Sequence, residues 1–183
     1  AALGGLCAEQ CEALFEKLYA LEQTAPFVIK VTEGPHYRRY VLQHRRAAPQ
    51  VPARTILGNG HPGTGGRWQE LGPGGSIGLA PGSVNAGKGH CFISCTGDVF
   101  PSGFLPLAVG NIRTSALADL YRDAPVFREL RDPDQLKGRC GLCEFRGMCG
   151  GSRARAYAMT GDYLAEDPWC AYIPAARRAS TTI

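Results

Sequence analysis

No run of about 18 apolar residues occurs in this 183-residue chain, so no stretch of it reads as a transmembrane helix. No block of five like charges occurs either, and 20 Lys+Arg against 16 Asp+Glu is only mildly basic. That balance argues for neither a nucleic-acid nor a membrane partner. Methionine is scarce: Met148 and Met159 are the two, and the chain opens on Ala1. Ahead of Cys7 there is no basic segment leading into an apolar one, so a retained signal peptide is not expected. Together these absences suggest a piece of a longer, cytoplasmic protein. The hydrophobic fraction of 44% is enough for a buried core and excludes global disorder. Cysteine is what the chain has in excess. Eight in 183 residues is more than an ordinary cytosolic enzyme needs, yet too few for a small disulfide scaffold.

Along the chain the organisation changes twice. In residues 8–22, Cys11, Leu14, Phe15, Leu18 and Leu21 follow the three-four spacing of an amphipathic helix. Pro26 ends it, and the β-branched run Phe27-Val28-Ile29-Lys30-Val31-Thr32 predicts a buried strand. A helix followed by a buried strand is the repeating unit of an α/β fold. From about Pro49 the chain turns to glycine and proline: residues 58–89 hold 12 of the 24 glycines. This marks a connector at 49–89. A β-hairpin is then expected, with strands around His90–Cys95 and Val99–Phe100 and a turn at Thr96-Gly97-Asp98. Short helices follow at 116–122, capped by Thr114 or Ser115, and at 126–131. A further helix is expected over 151–159, and residues 175–183 read as a flexible tail.

The strongest chemical signal is Cys140-Gly-Leu-Cys143-Glu-Phe-Arg-Gly-Met-Cys149 with Cys170 twenty residues on. A C-x2-C pair on a turn offers two thiolates to one metal centre, and glycines around it let the backbone wrap closely around a bulky object. Four thiolates can fully ligate a [4Fe–4S] cluster, and Lys137, Arg139, Arg146, Arg153 and Arg155 supply positive charge nearby. Structural zinc would also take four thiolates, though its ligands come more often as two separated pairs. Two disulfides would require an oxidising compartment. Cys91, Ile93 and Cys95 fall on one face of a strand and read as an apolar stripe, and Cys7 and Cys11, one helical turn apart, read as packing. Gly82-x4-Gly87-Lys88 imitates a phosphate loop, but Gly89 follows the lysine and a strand follows instead of a helix, so a nucleotide site is not expected.

Gly87-Lys88-Gly89, the run Phe100–Pro106, Gly110-Asn111-Ile112-Arg113, the segment Cys140–Tyr157 and Gly161–Pro168 resemble radical SAM enzymes with a C-terminal SPASM or twitch-type domain. The likeness is dense over 87–173, extends more loosely to 8–43, and is nearest to the group acting in heme and heme d1 biosynthesis. It implies an α+β fold: the terminal helix and strand of a partial (β/α)6 barrel at 1–48, the connector, and an auxiliary iron–sulfur domain at 90–174. It further implies one auxiliary [4Fe–4S] cluster on Cys140, Cys143, Cys149 and Cys170, without open iron. S-adenosylmethionine and a second cluster would belong to the full-length protein only, since the C-x3-C-x2-C motif that serves them is absent here. The fuller SPASM pattern has two more cysteines where Ser102 and Arg153 stand. The implied partners are a tetrapyrrole or peptide substrate and an electron donor or acceptor protein. Arg38 and Arg39, past the expected strand, are candidates to pair with substrate carboxylates. A zinc-stabilised binding module without redox chemistry is the alternative from another class.

Overall fold

A computed structural model describes residues 5–25, 27, 29, 31–47 and 84–179. Most of the connector expected at 49–89 therefore lies outside the described residues. Helix α1, Ala8–Glu22, forms as the spacing predicts, but its buried stripe is narrower. Cys11 and Phe15 are buried and Leu18 packs beside them, whereas Leu14 and Leu21 stay exposed. Cys7 caps the helix and is itself exposed, so only Cys11 of that pair is packing.

Of the strand expected over 27–32, Val28 and Lys30 lie outside the described residues; Phe27, Ile29, Val31 and Thr32 carry no strand pairing, and Phe27 is exposed. Helix α2, His36–Ala47, follows instead. Pro35 immediately before it has the backbone angle a helix start accepts. Tyr37 and Val41, one turn apart, bury against Phe15, with Trp169 from the far end of the chain closing the cluster. Among the described residues no strand stands between the two helices, so the expected barrel remnant finds no support; α1 and α2 pack on each other.

The second body begins before His90. Ala86 packs with Leu105, Leu130 and Ala154 in a separate buried cluster. Strands β1 (Phe92–Ile93) and β2 (Asp98–Phe100) form the expected hairpin, and β3 (Gly110–Asn111) adds a third strand on the far side of β2. Both pairings are antiparallel, with Ile93 opposite Val99 and Asp98 opposite Asn111. Gly97 turns with φ +90°, and a Cβ there would lie 2.8 Å from the Asn111 side-chain oxygen. That close approach lets Asn111 donate to the Thr96 carbonyl and to Asp98, tying the third strand to the turn.

Helices α3 (Leu117–Asp123) and α4 (Pro125–Arg131) match the sequence within a residue or two, although Ala116 rather than a hydroxyl residue stands at the first N-cap. A 3-10 turn (Pro133–Gln135), α5 (Gly138–Leu142) and α6 (Arg153–Thr160) complete the body. Residues Ala175–Ala179 form a further short helix, α7, so the expected flexible tail is helical through 179. The overall class is α+β: helices around one small antiparallel sheet. Cys91, Ile93 and Cys95 do not make a core stripe. Cys95 is exposed, Ile93 is exposed and Cys91 only half-buried; β1 is two residues long, lies at the sheet edge, and neither cysteine belongs to it.

Candidate metal centre

Cys140 lies on α5, Cys143 caps its end, Cys149 sits in the following turn, and Cys170 comes from the segment beyond α6. All four line one pocket, together with Arg39, Arg139, Arg146, Gly150, Gly151, Asp167, Tyr172 and Pro174. Backbone N–H groups aim at three of the sulfurs: Phe145 donates to Cys143 Sγ, Gly151 to Cys149 Sγ and Asp167 to Cys140 Sγ, each at 3.4 Å. Donors placed so favour the thiolate forms, but burial acts against them. It pushes Cys149 far up, Cys170 up to about 11, and Cys143 upward despite the Phe145 N–H. Bound metal cations would supply the missing positive charge, since thiolate ligation and deprotonation are coupled.

Gly151 explains how the backbone stays so near the sulfurs. It has φ +65°, and a Cβ there would come 3.1 Å from Cys140 Sγ and 2.8 Å from Asp167 Cβ. The turn is also tied from the hairpin side. Asn85 Nδ2 donates to the Cys149 and Gly151 carbonyls at 3.1 and 2.8 Å, and Lys88 Nζ to the Gly147 carbonyl at 3.0 Å. Lys88, the lysine of the false phosphate loop, therefore clamps the cysteine turn.

Asp167 is the hub behind the pocket. Its side chain is fully buried and accepts two hydrogen bonds from Arg155 at 2.7 and 2.8 Å, one from the Ser152 N–H at 2.8 Å and one from the Trp169 N–H at 3.1 Å. Burial would raise its pKa, but the Arg155 hydrogen bonds and charge overcome that and hold it below the usual carboxylate range. Arg155 also lies over the Trp169 ring and donates to the Glu33 carbonyl, while Ser152 Oγ donates to the Glu33 carboxylate at 2.9 Å. The helical hairpin is thereby joined to the cysteine body.

Of the five expected cations, Arg139 and Arg146 line the pocket and Arg153 reaches Cys140; Lys137 turns outward to Asp162, and Arg155 is spent on Asp167. Arg39 is buried against Tyr172, with its guanidinium bonded to Glu12 and Gln43. An internal carboxylate thus occupies the place expected for a substrate's. Arg38 differs: its Nη1 is buried without a hydrogen-bond partner. Sequence reasoning missed Asn85, Asp167 and Glu166, whose importance lies in contacts tens of residues away. The Glu166 carboxylate accepts from the Arg139 N–H and Nε, and Arg139 Nη1 in turn donates to the Cys170 carbonyl.

Four cysteine thiols thus wall one pocket, three of them with a backbone N–H on the sulfur. Residues 85–144 match the SPASM family, an iron-sulfur cluster-binding domain. The chain is a radical SAM/SPASM-type sequence similar to the heme-synthase group. It is 38% identical to an AdoMet-dependent heme synthase of Methanosarcina barkeri over 164 residues, covering 89% of this chain and 42% of that protein. It is 40% identical to a pre-heme d1 synthase of Dinoroseobacter shibae over 101 residues, 53% of this chain and 25% of that protein. A PqqA peptide cyclase of Granulibacter bethesdensis matches at 37% over 87 residues, 47% of this chain and 21% of that protein. The chain thus spans about two fifths of the length of the heme synthase it matches. Among the described residues no helix is long and apolar enough to cross a membrane.

Proposed function

We propose that this chain is the auxiliary-cluster portion of a radical SAM enzyme, with Cys140, Cys143, Cys149 and Cys170 holding one [4Fe–4S] cluster. The observation that carries the reading is the convergence of all four thiols on one pocket with three backbone N–H donors. When bound, such a cluster supplies one-electron transfer to or from a substrate radical. The protein's own part is to hold four thiolates, to shield them through Tyr172 and Pro174, and to set their electrostatics through Arg39, Arg139 and Arg153.

The radical itself would be generated at an S-adenosylmethionine cluster outside this sequence. Oxidation or decarboxylation of a tetrapyrrole side chain is the substrate class favoured here, because the match to the heme synthase runs through 89% of the chain. Maturation of a peptide is the second reading, carried by the likeness to the peptide cyclase. Arg38, with its unpartnered Nη1, is the residue we assign to a substrate carboxylate; unchanged substrate affinity in Arg38→Ala would remove it from that role. Anaerobic reconstitution with iron and sulfide tests the main reading. About four irons and four sulfides per chain, with thiolate-to-iron charge-transfer absorption, are expected. A colourless chain holding one zinc would end it.

A further inference from the structure

Arg153, the first of the two arginines at the start of α6, forms no ion pair with a carboxylate among the described residues. Arg153 and Arg155 both stand in the first helical turn, which has no acidic residue, and a cation is disfavoured at this positive end of the helix dipole. Arg155 is compensated by Asp167. Arg153 is only 2% exposed, and among the described residues no carboxylate forms an ion pair with it. Its guanidinium is held in place by three carbonyls: those of Tyr163 at 2.9 Å, Ala165 at 2.7 Å and Gly151 at 3.3 Å. Asp162, whose pKa Arg153 helps to lower, is itself bonded to Lys137 at 2.6 Å. The remaining contact is Arg153 Nη2 to Cys140 Sγ at 3.7 Å. A buried cation fixed by neutral carbonyls still needs an anion, and Cys140 Sγ, which would be anionic as a cluster ligand, is the group it touches.

We infer that Arg153 is a positioning residue that raises the reduction potential of the cluster, by holding a permanent positive charge against the Cys140 thiolate. This rests on the cluster reading above. A four-thiolate cluster carries net negative charge, and one-electron reduction adds one more without making or breaking a bond. A fixed cation nearby stabilises the reduced form more than the oxidised form.

The test is redox titration of the reconstituted 183-residue chain with dithionite, followed by EPR, beside iron and sulfide analysis. Iron and sulfide content reports on the cluster reading; the potential reports on Arg153. Arg153→Gln and Arg153→Met, at full iron content, are expected to disfavour reduction at least tenfold, a shift of about 59 mV to more negative potential for a one-electron couple. A reduction equilibrium within threefold of the wild type's, a shift of less than about 28 mV, at full cluster content would overturn the inference. Should neither neutral variant assemble a cluster, pulsed EPR of the reduced chain carrying 15N-arginine decides. A guanidinium nitrogen coupling lost in Arg153→Lys supports the assignment, and identical couplings in the two proteins overturn it.

Discussion

Replacing Arg155 by methionine would leave the Asp167 carboxylate buried without its counter-charge. Breaking one side of a buried ion pair costs about 3–5 kcal/mol, because the surviving charge is left in a poorly solvating interior. Here the cost should fall in the lower part of that range, since the Ser152 and Trp169 N–H groups still serve Asp167. Methionine keeps the contact with the Trp169 ring but loses the 3.2 Å bond to the Glu33 carbonyl, which adds about 1 kcal/mol. The expected loss is therefore about 4 kcal/mol. It is read from urea unfolding midpoints of the anaerobic chain, with the slope checked for constancy. Arg155→Met combined with Asp167→Asn separates charge from packing. If the cost is the orphaned charge, the double variant should be more stable than the sum of the single losses allows, by at least about 1 kcal/mol. Additivity within about 0.5 kcal/mol would show that the two groups do not act as a pair, and the hub account would fail.

Gly151→Ala should lower both stability and iron uptake, by about 2–4 kcal/mol for the former, from the left-handed backbone and the Cβ pressed on Cys140 Sγ and Asp167; full iron content and an unchanged melting curve would contradict the cradle. His36 is 2% exposed with neither ring nitrogen hydrogen-bonded, and burial pushes its pKa down to about 4. Its unfolded form binds the proton more readily, so its contribution is complete above pH 6.5 and is lost as pH falls toward 4, about 2 kcal/mol of it between pH 8 and pH 5. His36→Phe should flatten that part of the pH dependence of unfolding, and parallel curves for the two proteins would refute the assignment. Cys143→Ala should abolish most iron binding whereas Cys95→Ser should leave it intact; equal iron loss in both would dissolve the division of the cysteines into two groups.

The cysteine spacing made the site legible because three of its four members lie within ten residues, where the chain has little freedom to separate them. Helix α4 was legible for a similar reason: Pro125 at its first position acts locally. Helix α2 was not read, although Tyr37 and Val41 carry the helical period, because its run of arginines and histidines masks an apolar face built from rings. The strand at 27–32 failed in the opposite way. Its β-branched residues have the right propensity, but among the described residues none pairs with a strand, and strand propensity is mostly a statement about neighbours. Asp167 and Asn85 could not have been found by pattern, since a lone Asp or Asn acquires its role only when distant segments meet.

The link between Glu33 and Ser152 joins residues 119 positions apart. The entropy of closing so long a loop grows only with the logarithm of its length, so doubling the intervening chain costs about 0.6 kcal/mol. The glycine-rich stretch between the two parts is therefore a poor place to look for selective pressure on length. Insertions or deletions there are thermodynamically cheap, whereas a single altered side chain at either end of the Glu33–Ser152 joint is not.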